Sequence, residues 1–495
     1  MASPRAGQRS VPPAPPSGSA VDVAALRAAL DAAGFSGAAV RKAIGAGSEL
    51  LSQSFDVAVQ DRRLGETTDG LATLIRLLVL DLPVDAAAVD RALAGNAELL
   101  VRLGVATEDC GLMRTAVRIV PHDDLLIASD RVAEQMPEHV AGVHWPSATL
   151  SNLTVRREVE TALDVGTGNG IQALLLARHA ARVVATDVNE RALAFAEFNA
   201  ALNGVGNVEL RAGSFFEPVD GERFDLVVCN PPYVISPETA HIFRDSGMPG
   251  DTVSEKLLGE LPSHLGDDAF ATMTISWIVE DDLTARPRAW LEGSGCDAWI
   301  LHTGAEDPLR AAASWNRPLG GGPTEAGERL DTWLEYYARL GIEAIAYGAV
   351  ILHRRTGGDN WVRSAELSSG VLNPASGHLL QMFAAQELLA EVPGDALLDR
   401  RLALVEAARF DRTEQVVSGR WELASASVRL AAGIGFGANL DRYGVAVLAA
   451  LDGTEPVRRR IAPLASELGI PEADLAAFAV QLLRHLVEHG FAVPV

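Results

Sequence analysis

The chain has 495 residues, 48% of them hydrophobic and 22% charged, so it can bury a sizeable core and wholesale disorder is excluded. At roughly 150 residues per domain this length corresponds to about three domains. A net charge of -23 excludes a protein that coats nucleic acid nonspecifically, because phosphate contacts need a positive surface, although a local basic groove stays compatible with it.

Residues 1–20 are rich in Pro, Ser and Gly, lack the apolar core of a signal peptide, and read as a disordered tail. From 21 to 130 helical patterns dominate. Leu71, Leu74, Ile75, Leu78 and Leu82 share one helical face, a second helix follows over Asp85–Ala94, and a third ends near Leu103. A short β-hairpin is expected within Thr115–Ile127 of this N-terminal helical domain. The run Leu71–Leu82 is broken by Thr73, Arg76 and Asp81 and is too short to span a bilayer, so no membrane partner is expected. Cys110, Cys229 and Cys296 are far apart and form no CxxC pair, which fits a reducing, cytoplasmic location.

The pattern changes over 131–356. Strands are expected at Thr161–Val165, Arg182–Thr186, Val208–Ala212 and Phe224–Cys229, with helices at Gly170–Ala180 and Glu190–Leu202 between them. Further strands are expected at Ala271–Trp277, Ala298–Thr303 and Ile342–Leu352, a glycine-rich loop at Gly320–Pro323, and a helix at Glu325–Leu340. Strand–helix alternation predicts an α/β fold, a doubly wound Rossmann-like sheet covered on both faces. Residues 357–384 read as a linker. Residues 385–495 read as helical, with Val457, Ile461, Leu464 and Leu468 on one stripe and Leu475, Phe478, Leu482 and Leu486 on another. A strand-like end follows at Gly490–Val495, an order that resembles a winged helix.

Leu163-Asp-Val-Gly-Thr-Gly-Asn-Gly170 closes a strand and opens a helix. Glycines let the backbone turn sharply and approach a ligand closely. Ligands bind at the carboxyl ends of such strands, and a helix N-terminus favours anionic groups. Gly168-x-Gly170-x-x-Ala173 also fits the dinucleotide fingerprint. Asp187, nineteen residues after Gly168, ends the next strand, where a carboxylate can accept hydrogen bonds from two ribose hydroxyls. Both NAD and S-adenosylmethionine carry that ribose.

Asn230-Pro231-Pro232-Tyr233 follows the fourth strand, 64 residues after Gly166. Two prolines are rigid and donate no backbone hydrogen bond, which leaves the Pro231 carbonyl free to face a ligand beside the Asn230 side-chain oxygen. Together these acceptors can grip the two N–H bonds of a planar amine or amide, and Tyr233 can cover its flat face. A dinucleotide oxidoreductase has no use for such a pair, so the segment favours S-adenosylmethionine and methyl transfer to nitrogen.

These residues resemble class I S-adenosylmethionine-dependent methyltransferases of the NPPY group, which includes release-factor glutamine methyltransferases and base-amino methyltransferases. The resemblance covers roughly 145–355, within a methyltransferase domain of 131–356. It implies that Gly166, Thr167, Gly168, Asn169 and Gly170 line the methionine portion of the cofactor and that Asp187 holds the ribose. It further implies that Gly213-Ser214-Phe215 is the loop after strand three, where Phe215 would stack on adenine; Ser214 stands where an acid is usual. Asn230, Pro231, Pro232 and Tyr233 would hold the acceptor nitrogen, with Asn230, Pro231 and Tyr233 carrying the chemistry and Asn230 also touching the cofactor. Release-factor enzymes carry an Ile-Pro-Arg-Pro-x-Thr-Glu segment ahead of the glycine turn. This chain has Val143-His-Trp-Pro-Ser-Ala-Thr-Leu-Ser-Asn152 there.

In the loop His241–Asp251, Arg244 is a candidate substrate contact, together with Asp245 and Asp251. Arg458-Arg459-Arg460 reads as a solvated helix face. His139 and His144 lack companions at metal-ligand spacing and Cys229 reads as a small core residue, so no metal is expected. The implied partner is a macromolecular substrate, either an RNA nucleobase presented out of its stack or a glutamine of a translation-related protein. The alternative is a non-catalytic, cofactor-sensing regulator that binds nucleic acid.

Overall fold

The computed structural model describes residues 13–45, 54–66, 69–132, 136–238, 244–317, 322–355, 357, 359–367, 370–371, 373–392 and 394–495. They fall into two compact units, one of residues 1–151, 157–300 and 305–363, the other of 152–156, 301–304 and 364–495.

Most of an eight-stranded sheet lies in the first unit: β1 Val159–Val165, β2 Ala180–Asp187, β3 Val208–Ala212, β4 Phe224–Cys229, β5 Leu265–Ile278, β6 Asp297–Glu306, β7 Ile345–Arg354 and β8 Val362–Glu366. Their order is β8-β6-β7-β5-β4-β1-β2-β3. β3, β2, β1, β4 and β5 run parallel, and β7 is antiparallel to β5. Leu163, Val184, Val227 and Val228 are fully buried, as strands covered on both faces require. The strand order reverses beside β1. Val165 sits level with Thr186 of β2 and with Cys229 of β4, so the residues that follow all three strands emerge side by side. This is the switch point where such sheets bind ligands.

The α/β expectation holds, and each strand expected over 161–352 lies on an observed one. The helix expected over 170–180 is shorter. Helix α1 spans Ile171–Leu176, and Ala180 already begins β2. Helix α2 spans Glu190–Leu202, and helix α3 spans Pro323–Leu340. Of the expected glycine loop ahead of α3, residues 320–321 lie outside the described residues, and Pro323 begins the helix. Strand β8 was not expected. It falls within the segment read as a linker, as does the start of the helix Ser376–Glu391. Arg363, Ser364 and Glu366 break any apolar run in β8, and only Ala365 is buried there.

The N-terminal helices belong to this same unit. Leu26, Leu30, Leu74 and Leu78 share one core with Ala192, Phe195, Phe198 and Leu202 of α2. The tail reading fails over its last residues. Residues 1–12 lie outside the described residues, but Pro16 is buried, Ser17 N donates to Leu103 O at 3.1 Å, and Ser19 caps the helix Ala20–Ala32. The expected hairpin lies slightly later, as Arg118–His122 with Leu125–Ser129, and a second one, Ala106–Asp109 with Leu112–Thr115, precedes it. The amphipathic run starting at Gly70 passes into a π-helical turn at Ile75–Val79.

Two asparagines of α2 fasten the strand Leu125–Ser129. Asn199 accepts from Ala128 N at 2.7 Å and donates to Ala128 O at 2.9 Å, and Asn203 makes the same pair with Leu126, 2.9 Å each way. The match is geometric, since four helical residues advance about 6 Å and two strand residues about 6.6 Å. Asn199 also donates to Asn169 O at 2.8 Å, which ties the N-terminal region to the glycine turn.

In the second unit the strand Leu402–Leu404 pairs antiparallel with Ala492–Pro494, so the strand-like end is observed. The stretch read as all helical also holds a three-stranded antiparallel sheet, Ala408–Val417, Arg420–Leu430 and Gly437–Leu440, ahead of helices Arg442–Ala449, Arg458–Leu468 and Glu472–Glu488. The first two strands form a ribbon exposed on both faces over much of its length, so no alternating apolar pattern marks it. Arg458 pairs with Asp399 at 2.6 Å and Arg460 with Glu455 at 2.6 Å, as surface residues do. No single helix among the described residues is long and apolar enough to cross a membrane.

Replacing Asn199 with alanine strands the N–H and C=O of Ala128 and the carbonyl of Asn169 in a buried setting. The expected cost is roughly 3 kcal/mol of unfolding free energy, read by urea titration; a cost below about 1 kcal/mol contradicts the bridging role.

Candidate functional site

The glycine turn is fixed by bonds at both of its ends. Gly166 N and Thr167 N both donate to Thr186 O at 2.9 Å. The carboxylate of Asp164, 1% exposed, accepts from Thr167 Oγ1 at 2.6 Å and from Ala173 N at 3.0 Å. Gly170 has φ +85°, and a Cβ there would meet Ala196 Cβ at 3.0 Å. Only glycine allows α1 to start so close to α2.

Asp187 ends β2 beside this turn. Its Oδ2 accepts from Gly168 N at 2.8 Å and its Oδ1 from Asn189 N at 2.9 Å. Burial nonetheless raises its pKa. Each carboxylate oxygen keeps a lone pair beyond these bonds, enough for a pair of vicinal hydroxyls. The loop after β3 is held by Gly213 N donating to Asp187 O and Thr186 Oγ1 donating to Phe215 O, both at 3.0 Å. Phe215 takes a left-handed φ of +48°.

A cavity of about 390 Å³ opens here. Gly166, Thr167, Gly168, Asn169, Asp187, Ser214, Phe215, Asn230 and Pro232 line it. Gly170, Pro231, Tyr233 and Arg244 are not on its wall. Pro231 is buried off this wall, and its carbonyl already accepts one hydrogen bond, from Tyr233 N at 2.8 Å. The Tyr233 ring sits in an aromatic cluster with Trp333, Tyr336 and Tyr337, edge-on to Trp315 at 6.2 Å. Burial pushes its hydroxyl further above the usual phenol range.

Arg244 is 5% exposed and committed within the protein. It pairs with Glu238 at 2.6 Å and Asp245 at 2.8 Å and lies 5.6 Å over the Trp333 ring. It anchors its loop to α3 and does not reach toward the cavity. Asp251 is likewise structural, paired with Arg286 at 2.8 Å and accepting from Ile278 N at 2.9 Å. Of the loop His241–Asp251, residues 241–243 lie outside the described residues.

One wall of the cavity carries no sequence motif. His139, Val140, Ala141, Gly142, His144 and Ser147 form it. Asn189 Nδ2 donates to Glu138 O at 3.0 Å, Asn169 Nδ2 to Ala141 O at 2.9 Å, and Val140 N to Asp130 Oδ2 at 2.8 Å. Asp130 is itself held by Arg191 of α2. The sequence signal that was available is the pair Asn169 and Asn189, whose side chains flank the motif positions and need partners. His144 Nδ1 bonds Ser147 Oγ at 2.8 Å, and burial pulls its imidazole down to about 4, so it is neutral at pH 7. Among the described lining residues, Asp187 and Asp245 are the carboxylates, and none is lysine or arginine.

The donor set fits an adenosine-type cofactor. Asp187 has lone pairs for the ribose, Phe215 offers a flat ring, and the backbone at Gly166–Asn169 is open to close approach.

Burial raises Asp164 from an ordinary 3.8 to about 7, its two hydrogen bonds offset part of that rise, and Asp187 adds to it. The folded state therefore binds more protons between about pH 4 and pH 7, so this group's contribution to stability falls as pH rises through that window. Asp164→Asn keeps an acceptor and does not ionise. Urea unfolding at pH 5 and pH 8 is expected to show wild type losing stability relative to the variant as pH rises; a constant difference contradicts the raised value.

Residues 147–244 match the family model of the methyltransferase small domain, and residues 380–494 match that of a domain of unknown function (DUF7782). The chain is 28% identical over 199 residues to the ribosomal protein uL3 glutamine methyltransferase of Bradyrhizobium diazoefficiens, covering 37% of this chain and 61% of that protein. It is 48% identical over 73 residues to the release factor glutamine methyltransferase of Xylella fastidiosa, covering 14% and 26%. It is 34% identical over 131 residues to the ribosomal protein uL3 glutamine methyltransferase of Bordetella pertussis, covering 24% and 44%. The chain thus spans less than two thirds of the length of each of these relatives. The stretch that is similar to the methyltransferase small domain runs from the cavity wall at Ser147 to Arg244 and so takes in the glycine turn, Asp187 and Asn230.

Proposed function

We propose that the chain is an S-adenosylmethionine-dependent N-methyltransferase acting on a side-chain amide, a glutamine, of a translation-related protein. The observation that carries the reading is that Asp187 and Asn230 face one cavity whose described lining holds no lysine or arginine. Asp187 and Phe215 suit adenosine, and Asn230 suits a planar N–H donor. A phosphate-bearing acceptor has no cation on this wall to meet it, and the nearby Arg244 is already neutralised by Glu238 and Asp245. The relatives' names supply the amide class, since all three are glutamine methyltransferases.

An amide nitrogen is a weak nucleophile because its lone pair is delocalised into the carbonyl. Asn230 Oδ1, accepting from an acceptor N–H, enriches that lone pair and aims it. Of the two acceptors expected from the sequence, Asn230 reaches the cavity and Pro231 does not, so the residue's orientation carries more of the task. S-adenosylmethionine, when bound, supplies a methyl group activated by its sulfonium. The chain contributes alignment and a preorganised polar wall, effects that elsewhere supply large rate factors. The neutral His144 adds no charge to that wall.

The test incubates the full chain with tritiated S-adenosylmethionine and, separately, purified release factor, ribosomal protein uL3 and total RNA. Label is expected in a glutamine of one of the two proteins; label confined to RNA contradicts the amide reading. Asn230→Ala is expected to lower turnover roughly 100-fold or more while S-adenosylhomocysteine affinity, measured by calorimetry, changes less than about threefold. Turnover at the wild-type level removes Asn230 from the reaction.

A further inference from the structure

Strand β5 reads Ala271-Thr-Met-Thr-Ile-Ser-Trp277, and its two faces differ in kind. Alternate residues of a strand share a face. Ala271, Met273, Ile275 and Trp277 enter the apolar core of the sheet. Thr272, Thr274 and Ser276 form the other row, and all three are buried, at 0%, 4% and 0% exposure. Buried hydroxyls are costly unless they are hydrogen-bonded, so three on one face of a central strand call for a reason.

Two of them grip the Asn-Pro-Pro-Tyr segment at its ends. β5 lies parallel to β4 with Met273 level with Cys229, which brings Thr274 opposite Asn230. Thr274 Oγ1 donates to Asn230 Oδ1 at 2.6 Å, and Ser276 Oγ donates to the carbonyl of Tyr233. The intervening prolines donate no backbone hydrogen bond, so the side-chain bonds at Asn230 and Tyr233 hold the segment from the β5 side.

We propose that Thr274 and Ser276 are positioning residues for the acceptor-nitrogen site. Thr274 fixes the amide plane of Asn230, leaving the second lone pair of Oδ1 toward the cavity, and Ser276 fixes the backbone at Tyr233. This inference rests on the proposed role of Asn230 as the contact to the acceptor nitrogen. A short hydroxyl bond stops rotation of the amide about Cβ–Cγ, and misplacement of a reacting group by about 1 Å can cost 100-fold in rate.

The test uses the full chain with Thr274→Val, which keeps the side-chain shape and deletes the hydroxyl, and Thr274→Ser, which keeps the hydroxyl. Turnover and KM are measured on whichever translation protein the wild type labels, S-adenosylhomocysteine affinity by calorimetry, and folding by the thermal midpoint. Thr274→Val is expected to lose roughly tenfold or more in kcat, with acceptor KM and S-adenosylhomocysteine affinity within about twofold of wild type. Thr274→Ser is expected to restore most of the rate. Wild-type turnover by Thr274→Val overturns the proposal, and so does a loss in Thr274→Ser as large as in Thr274→Val, which would trace the effect to methyl packing. A crystal structure of Thr274→Val with S-adenosylhomocysteine gives a readout independent of the acceptor. A rotated Asn230 amide supports the positioning role and an unchanged one overturns it, even if no acceptor is labelled and the amide reading itself fails. Thr274→Ala serves the same comparison if the valine variant does not fold.

Discussion

The carboxylate of Asp164 holds the turn on which the whole site is built. It lies one residue before the end of β1, accepts both the Thr167 hydroxyl and the Ala173 amide on Oδ2, and so ties the strand to the first turn of α1. With those bonds made, Gly166, Thr167, Gly168 and Asn169 face the cavity. Gly168 N then reaches Asp187, and Asn169 reaches Ala141 in the far wall. A charge so deeply buried is unfavourable, and the two hydrogen bonds offset only part of that cost, which is why the carboxyl is raised to about 7. The cavity wall, and with it the proposed cofactor and acceptor contacts, depends on this geometry.

A second layer of polar bonds makes the N-terminal region part of the site. Asn199 joins the glycine turn to the strand Leu125–Ser129, and Asp130 joins Arg191 of α2 to Val140 on the cavity wall. These groups are buried and pair with backbone, so each fixes a position as well as satisfying a donor. The helical N-terminal region is therefore a structural support for the cavity.

What could be read from the sequence follows from how local its cause is. The placement of the glycine turn, Asp187 and Asn230 at one cavity was legible because it arises from strand ends and backbone freedom within a few residues. Tyr233 and Arg244 lie off the cavity wall because their ring and guanidinium partners are set by tertiary packing, and Pro231 because its carbonyl turns back to Tyr233 N within the same segment. Tyr233 meets Trp315, and Arg244 meets Trp333, each more than 80 residues away in sequence. The wall at 139–147 carries no motif, since it is held by side-chain bonds to backbone carbonyls and amides. Strand β8 and the ribbon 408–430 escaped because they carry no continuous buried run, while β1, β2 and β4 to β7 each do; the exposed edge strand β3 was legible only from its place in the strand–helix alternation.

The central claim is that one cavity holds an adenosine-type cofactor on Asp187 and presents Asn230 to an acceptor nitrogen. The most direct measurement is a crystal structure of the full chain with S-adenosylhomocysteine. The account predicts ribose hydroxyls on the Asp187 carboxylate, the adenine against Phe215, and the sulfur on the side of the cavity that Asn230 faces. A nucleoside bound away from Asp187, or a sulfur turned away from Asn230, would contradict it.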